Sequence, residues 1–234
     1  MMNIAIILSG GVGSRMGTDI PKQYIEVNGH PIIWYCLKNF LDNPIIDVIV
    51  IGRADEWSGF IHSQIDSFDI LKPVYFSQPG ETRQYSIYNA LLEAKKYGAK
   101  GDDIVIIHDA ARPLVSRELI KNCIEGCDEA DGVLPVIPVK DTLYQSVDGQ
   151  HITNLLNRNE LFAGQAPEAF RFGKYLTLHE QMSREELLKI NGSTEIAYKG
   201  ALKIKLIKGD VMNFKITTPE DLTSFETIIN QKNR

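Results

Sequence analysis

The chain has 234 residues, 44% of them hydrophobic and 24% charged, with a formal net charge of −5. That length suits one large α/β domain with a small excursion, and the composition is that of an ordinary globular protein. The acidic balance leaves no basic field for a nucleic-acid backbone, and no apolar run reaches the length of a membrane span. The N-terminus enters a strand directly, without the features of a signal peptide, so a cytoplasmic protein is expected. Cys36, Cys123 and Cys127 make a poor disulfide set and lack a His or Cys partner for zinc; buried reduced thiols are expected.

Ile4 to Leu8 is a run of five apolar residues, the size of a fully buried parallel strand. It runs into Ser9-Gly10-Gly11-Val12-Gly13-Ser14-Arg15-Met16, and Pro21-Lys22-Gln23 follows. Glycines let a backbone approach a ligand closely. Consecutive N–H groups in such a turn bind anions, and Arg15 and Lys22 add full positive charge. A polyphosphate cradle at the end of the first strand follows from this. A Walker A loop is excluded, because no Gly-Lys-Ser/Thr is present. The dinucleotide fingerprint fails because Met16 holds the place of its last glycine.

Further along, residues 32–40 have helical spacing, and residues 47–52 form a second buried strand closed by Gly52. Residues 57–68 read as a helix and 73–76 as a short strand. Gly80-Glu81-Thr82-Arg83-Gln84-Tyr85-Ser86 opens another helix. Residues 103–107 are a fourth strand, followed at once by His108-Asp109-Ala110-Ala111-Arg112-Pro113. Ser116 is the expected N-cap of the next helix, and residues 132–136 make a fifth strand. Strands alternating with helices imply a mostly parallel sheet with right-handed crossovers. The fold class expected is therefore a Rossmann-like α/β three-layer sandwich, a single domain over residues 1–234.

Residues 139–160 break this rhythm. Two strand-like stretches flank Asp148-Gly149, which is a hairpin signal. A lone hairpin is marginal in water, so it must lie on its own chain or on a second subunit. A protruding dimerisation arm is the preferred reading. Ala169-Phe170 and the residues to Leu178 lead into a helix, residues 201–207 form a strand, and Lys215 sits in another apolar strand. Thr218 caps the last helix, with Pro219 at its first position.

In open α/β sheets ligands lie beyond the carboxyl ends of the strands. The segments 10–22, 80–86 and 108–113 all fall there. Asp109, at a strand tip facing a polyphosphate, is a natural Mg²⁺ ligand, since magnesium takes one or two carboxylates plus phosphate oxygens; a helix-capping Asp is the plainer alternative. His108 reads as structural. Arg83 and Ser86 share a helical face, suited to a nucleobase edge or a phosphate. Lys215 either snorkels or meets an anion. Arg158, on the arm with Thr142, is suited to clamp a substrate phosphate.

Together these segments, with Asp141-Thr142 and Asn213-Phe214-Lys215-Ile216-Thr217-Thr218-Pro219-Glu220-Asp221, resemble the cytidylyltransferases of 2-C-methyl-D-erythritol 4-phosphate or D-ribitol 5-phosphate. The resemblance implies transfer of CMP from CTP to a small polyol phosphate, with Mg²⁺ and release of pyrophosphate. The pathway would be isoprenoid precursor synthesis for the first acceptor, and teichoic acid or capsule synthesis for the second. Arg15 and Lys22 would hold the triphosphate and stabilise its transition state, with Lys215 as a third catalytic cation. The nucleotide side would comprise Leu8, Ser9, Gly10, Gly11, Gly13, Arg15, Lys22, Gly80, Arg83, Ser86 and Asp109. Gly80 and Ser86 would read cytosine or support its loop. Asp109 would bind the metal. The acceptor side would comprise Asp109, Arg112 and Lys215, with Thr142 and Arg158 reaching over from the partner of a homodimer.

Two departures fall on the acceptor side. The family's T-P-Q is Ala166-Pro167-Glu168 here, and its T-D segment is replaced around Asn191-Gly192-Ser193-Thr194-Glu195. The stretch Asn157 to Gln165 leans toward the ribitol branch. Two other classes compete. A dinucleotide-dependent reductase would use Asp55 for ribose, but its fingerprint is broken. A non-catalytic nucleotide binder would not need metal and phosphate residues together.

Overall fold

The computed structural model describes residues 1–11, 20–69 and 72–232. In chain order the elements are β1 (Asn3–Leu8), β2 (Glu26–Val27), β3 (His30–Pro31), α1 (Ile32–Leu41), β4 (Val48–Gly52), α2 (Ser58–Asp66), β5 (Val74–Ser77), α3 (Arg83–Lys96), β6 (Ile104–Asp109), α4 (Arg117–Gly126) and β7 (Gly132–Pro138). There follow β8 (Tyr144–Gln145), β9 (Asn154–Leu155), β10 (Phe162–Gly164), β11 (Glu168–Arg171), α5 (Phe172–Gln181), α6 (Arg184–Leu188), α7 (Ser193–Lys199), β12 (Ile204–Lys208) and α8 (Pro219–Lys232).

The main sheet runs β10-β7-β11-β6-β1-β4-β5, with β12 also on β7. β6, β1, β4 and β5 pair in parallel, as does β12 with β7. Alternate residues of β1 serve the two faces. Ala5 and Ile7 pack with Ile33 and Leu37 of α1, Ile61 of α2 and Leu119 of α4. Ile4 and Ile6 pack with Ile87 and Leu91 of α3, Tyr175 of α5 and Ile196 of α7. Both faces are covered, which is why these strands read as continuous apolar runs. The three-layer α/β expectation holds.

The topology also locates the site. From β1 the chain steps outward to β4 and β5 through α1 and α2 on one face. It then returns through α3 on the other face to β6, on the far side of β1. Right-handed crossovers force that change of face when the direction reverses. The crevice where it reverses lies between the carboxyl ends of β1 and β6.

Three expectations need correction. The stretch at Ala169-Phe170 leads into α5, but as a strand of the sheet: β11 inserts antiparallel between β6 and β7. Four residues are too few to show a period, so a buried strand and a buried helical turn look alike. Lys215 is not in a strand. Residues 213–217 run without a ladder, tied by the Ile216 N–H to the Ala111 carbonyl at 2.9 Å. Their apolar alternation comes from Ile216 packing on Ile32 and on Phe225 of α8. The hairpin strands are two residues each, β8 and β9, because nothing in the chain covers them: Tyr144, Val147, Ile152 and Leu155 are all exposed. Finally, Asn28-Gly29, both at positive φ, turn the small β2–β3 hairpin. That dipeptide is a hairpin signal the sequence reading passed over.

Other local expectations hold. The Ser116 side chain accepts from the Leu119 N–H as an N-cap. The Asp221 carboxylate accepts from the Thr217 and Thr218 N–H groups at 2.8 and 2.9 Å, closing the start of α8. All three cysteines are buried free thiols.

Candidate active site

A pocket of about 500 Å³ opens over the β1–β6 crevice. Its walls include Leu8, Gly10, Gly11 and Lys22 from the first loop, Gly80, Arg83 and Ser86 from the start of α3, and Asp109 and Lys215. Nine of the expected site residues thus meet in one place. Gly13 and Arg15 lie outside the described residues.

Two glycines set how closely the walls approach. A Cβ on Gly10 would lie 2.6 Å from Pro79 Cβ, so the first loop packs directly on the segment before α3. A Cβ on Gly80 would lie 2.2 Å from Tyr85 Cβ and 2.8 Å from the Ser86 nitrogen. The Gly80 N–H donates to Ser86 Oγ at 2.9 Å, and Ser86 Oγ–H donates to the Thr82 carbonyl at 3.0 Å. These bonds hold the turn before α3 in place. Thr82 caps α3 by accepting from the Tyr85 N–H.

Gln23 was overlooked as a site residue. It is buried, and its amide donates to the Ser9 and Gly11 carbonyls at 2.7 and 2.9 Å. It thereby fixes the backbone just after β1. Ser9 serves structure: its hydroxyl is 2.9 Å from that of Tyr24, inside the core.

Asp109, at the tip of β6, is the electrostatic centre. Arg83 Nε is 3.1 Å from Oδ1, and Lys215 Nζ is 3.0 Å from Oδ2. Arg112 Nε is 3.6 Å from Oδ2, while its Nη1 donates to the Asn213 carbonyl at 2.7 Å. Burial alone would raise the Asp109 carboxyl; Arg83, Lys215 and Arg112 outweigh it and hold it well below the usual carboxylate range. Arg112 does not line the pocket but backs Asp109. His108 is buried beneath, with Nε2 3.0 Å from the Arg112 carbonyl, which needs the proton on Nε2. Burial pushes its imidazole down to about 4, so it stays neutral, in line with the structural role expected.

A second carboxylate was noticed in sequence only as a departure. Glu168 is buried at the head of β11, its Oε1 3.8 Å from Arg83 Nη2 and its Oε2 accepting from the Thr194 hydroxyl at 2.7 Å. Burial pushes its carboxyl up, and Arg83 and Thr194 offset only part of that. Ser193 also accepts from Arg83 Nη1. These partners come from β11 and α7, far along the chain, so no local spacing reveals them.

Thr142 and Arg158 do not line the pocket. Both are exposed at the hairpin, where Arg158 Nη1 donates to the Lys140 carbonyl of its own chain at 3.0 Å. Among the described residues no group of three His, Cys, Asp or Glu side chains gathers as a metal cage, and no helix is long and apolar enough to cross a membrane.

Known proteins are similar to this chain in sequence and fold. A family model described as IspD, 2-C-methyl-D-erythritol 4-phosphate cytidylyltransferase, matches residues 3–231. A 2-C-methyl-D-erythritol 4-phosphate cytidylyltransferase of Clostridium botulinum is 36% identical over 97% of this chain and 99% of its own. A ribitol-5-phosphate cytidylyltransferase of Streptococcus agalactiae is 31% identical over 97% of this chain and 95% of its own. The crystal structure of the Francisella tularensis 2-C-methyl-D-erythritol 4-phosphate cytidylyltransferase superposes with a TM-score of 0.81 at 27% identity, covering 97% of this chain and 99% of that one. The chain belongs to the 2-C-methyl-D-erythritol 4-phosphate cytidylyltransferase family, whose members are CTP-dependent nucleotidyltransferases.

Proposed function

We infer that the chain transfers CMP from CTP to 2-C-methyl-D-erythritol 4-phosphate in the cytoplasm, where CTP is made and kept. The observation that carries the reaction type is the pocket itself. Among the described residues, a glycine turn, Lys22, Arg83 and Lys215 surround the ionised carboxylate of Asp109, and the Thr82 and Ser86 hydroxyls on the walls are committed to capping and turn bonds rather than to a general base. Such a site suits phosphoryl-type transfer, which needs positioning and charge neutralisation. An oxygen of the acceptor phosphate attacks the α-phosphorus, and the bond to the β-bridging oxygen breaks. Pyrophosphate leaves with the electron pair. Lys22 and Arg15 hold the triphosphate and neutralise the charge that builds on it. Lys215, held by Asp109, faces the acceptor phosphate.

The donor set fits Mg²⁺. Asp109, at a strand tip facing the cationic cradle, would exchange one of its present cation contacts, to Arg83, Lys215 or Arg112, for an ion that takes one or two carboxylates and completes its shell with phosphate and water. Asp109 would hold it, and the ion would add charge neutralisation at the phosphates.

The acceptor assignment follows the family description and the 36% relative. Ribitol 5-phosphate is the second reading, favoured by the Asn157 to Gln165 stretch and the 31% relative. The exposed apolar hairpin supports a homodimer in which each arm carries Thr142 and Arg158 to the partner's acceptor phosphate. Pyrophosphate release from CTP, measured against methylerythritol, ribitol, glycerol and xylitol phosphates, tests the function. Methylerythritol phosphate should give the highest kcat/KM. Preference for ribitol phosphate would move the assignment to the second reading, and no release with any of the four would reject both.

A further inference from the structure

Lys215 reaches the pocket from a segment that no sheet or helix holds. Residues 213–217 run irregularly between β12 and α8. A lysine's four-carbon stem is flexible, so its aim depends on how firmly the backbone beneath it is fixed.

That backbone is pinned on both sides of Lys215. Ahead of it, the Ile216 N–H donates to the Ala111 carbonyl at 2.9 Å, close behind Asp109 in the chain. On the other side, the side chain of Asn213 is fully buried, and its Nδ2 donates to the Ala166 carbonyl at 2.6 Å. Gln165, next to Ala166, grips Asp210 with both ends of its amide, donating to the carbonyl at 2.9 Å and accepting from the N–H at 3.0 Å. The Asp210 carbonyl in turn accepts from the Asn213 N–H at 3.0 Å.

The Asn213 amide can face only one way. A carbonyl accepts and does not donate, so Nδ2 must be the end on Ala166. Oδ1 is then buried with no partner among the described residues. A buried acceptor left unpaired costs stability, which an apolar residue of similar size would avoid. The effect of the Nδ2 bond is on position. It fixes residue 213, whose carbonyl also receives Arg112 Nη1 at 2.7 Å. Lys215 Nζ and Arg112 Nε then come to the same oxygen of Asp109, at 3.0 and 3.6 Å.

We propose that Asn213 is a positioning residue for the acceptor end of the site: its bond to the Ala166 carbonyl holds the backbone that carries Lys215, so that the ammonium stands beside Asp109 for the phosphate of the acceptor. The acceptor part of this rests on the reading that the enzyme uses a polyol phosphate. The hold on Lys215 does not.

The test removes the bond and keeps the shape. Asn213→Leu is close to isosteric and lacks the donor. It should raise KM for the polyol phosphate about tenfold, a modest loss for a misplaced group, and leave KM for CTP within about twofold. In a Lys215→Met background the same change should move KM for the polyol phosphate by less than about twofold, because the effect runs through Lys215. Calorimetric titration of inorganic phosphate into the full-length protein gives a second readout. Asn213→Leu should weaken phosphate binding about fivefold, the order of one weakened charge-assisted bond, and should leave it unchanged in the Lys215→Met background. If Asn213→Leu does not fold, Gln165→Met removes both bonds to Asp210 and should show the same pattern at smaller size. Equal shifts in the two Lys215 backgrounds, or a lowered unfolding midpoint with both KM values unchanged, would overturn the proposal. A wild type that uses no polyol phosphate would overturn the function, while the phosphate titrations would still decide the role of Asn213.

Discussion

Asp109 organises the site by gathering charge. Three cations converge on its two oxygens, and two of them line the pocket. Asp109→Asn should lower kcat by about a hundredfold or more, the scale of losing one charge-organising group. It should also cost about 3 kcal/mol of stability, because it strands buried cations; urea unfolding would measure this. The carboxyl is held below its ordinary value, so its contribution to stability is present above pH 3.8 and is lost as pH falls below that. Lys22→Ala should depress kcat more than it raises KM for CTP, since a charge matched to the transition state acts mainly there. Steady-state kinetics with CTP varied would show the split. A change in KM alone would make Lys22 a ground-state binder.

At the scale of elements, the start of α3 depends on a missing side chain. Gly80→Ala places a Cβ against the Tyr85 and Ser86 backbone, so the helix start must shift. KM for CTP should rise at least about tenfold, with the circular dichroism spectrum unchanged. The α3–α5 contact carries a pH dependence. His179 is buried on α5, with Nδ1 2.8 Å from the Tyr175 carbonyl and Nε2 against the Gln84 amide of α3. Nδ1 therefore holds the proton, and Nε2 has no room for a second. Burial pushes this imidazole down to about 4 from 6.5. The unfolded chain binds the extra proton first, so stability is full above pH 6.5 and falls between 6.5 and 4. Unfolding midpoints across that range should fall less steeply in His179→Gln than in the wild type. The long buried strands and their helices were legible because their apolar patterns are long and local. β11 was not, because four buried residues carry no period. Residues 213–217 were misread because packing on α8 imitates strand alternation. The pocket walls 8–11, 80–86 and 109 were legible as motifs at strand ends. Gln23, Glu168 and Ser193 were not assigned as site residues, because each acts through a contact the sequence does not display.

For the whole molecule, the hairpin is the open face. Tyr144, Val147, Ile152 and Leu155 are 59–86% exposed on a hairpin whose ladder is two residues a side and cannot stand alone in water. A two-fold dimer satisfies both arms at once. Mixing Lys22→Ala chains with Arg158→Ala chains should restore about a quarter of wild-type activity, because half the dimers are mixed and each of these has one intact site. No recovery after proven subunit exchange would confine the arm to its own chain.

The central claim is that this pocket moves the α-phosphoryl group of CTP, with its cytidine, onto a polyol phosphate. Two radiolabelled preparations of CTP test it directly, one labelled at the α-phosphate and one at the γ-phosphate. With polyol phosphate and magnesium present, the α label should appear in the polyol product and the γ label in pyrophosphate. Transfer of the γ label to the polyol, or release of the α label as free CMP with none in the polyol, would contradict the account.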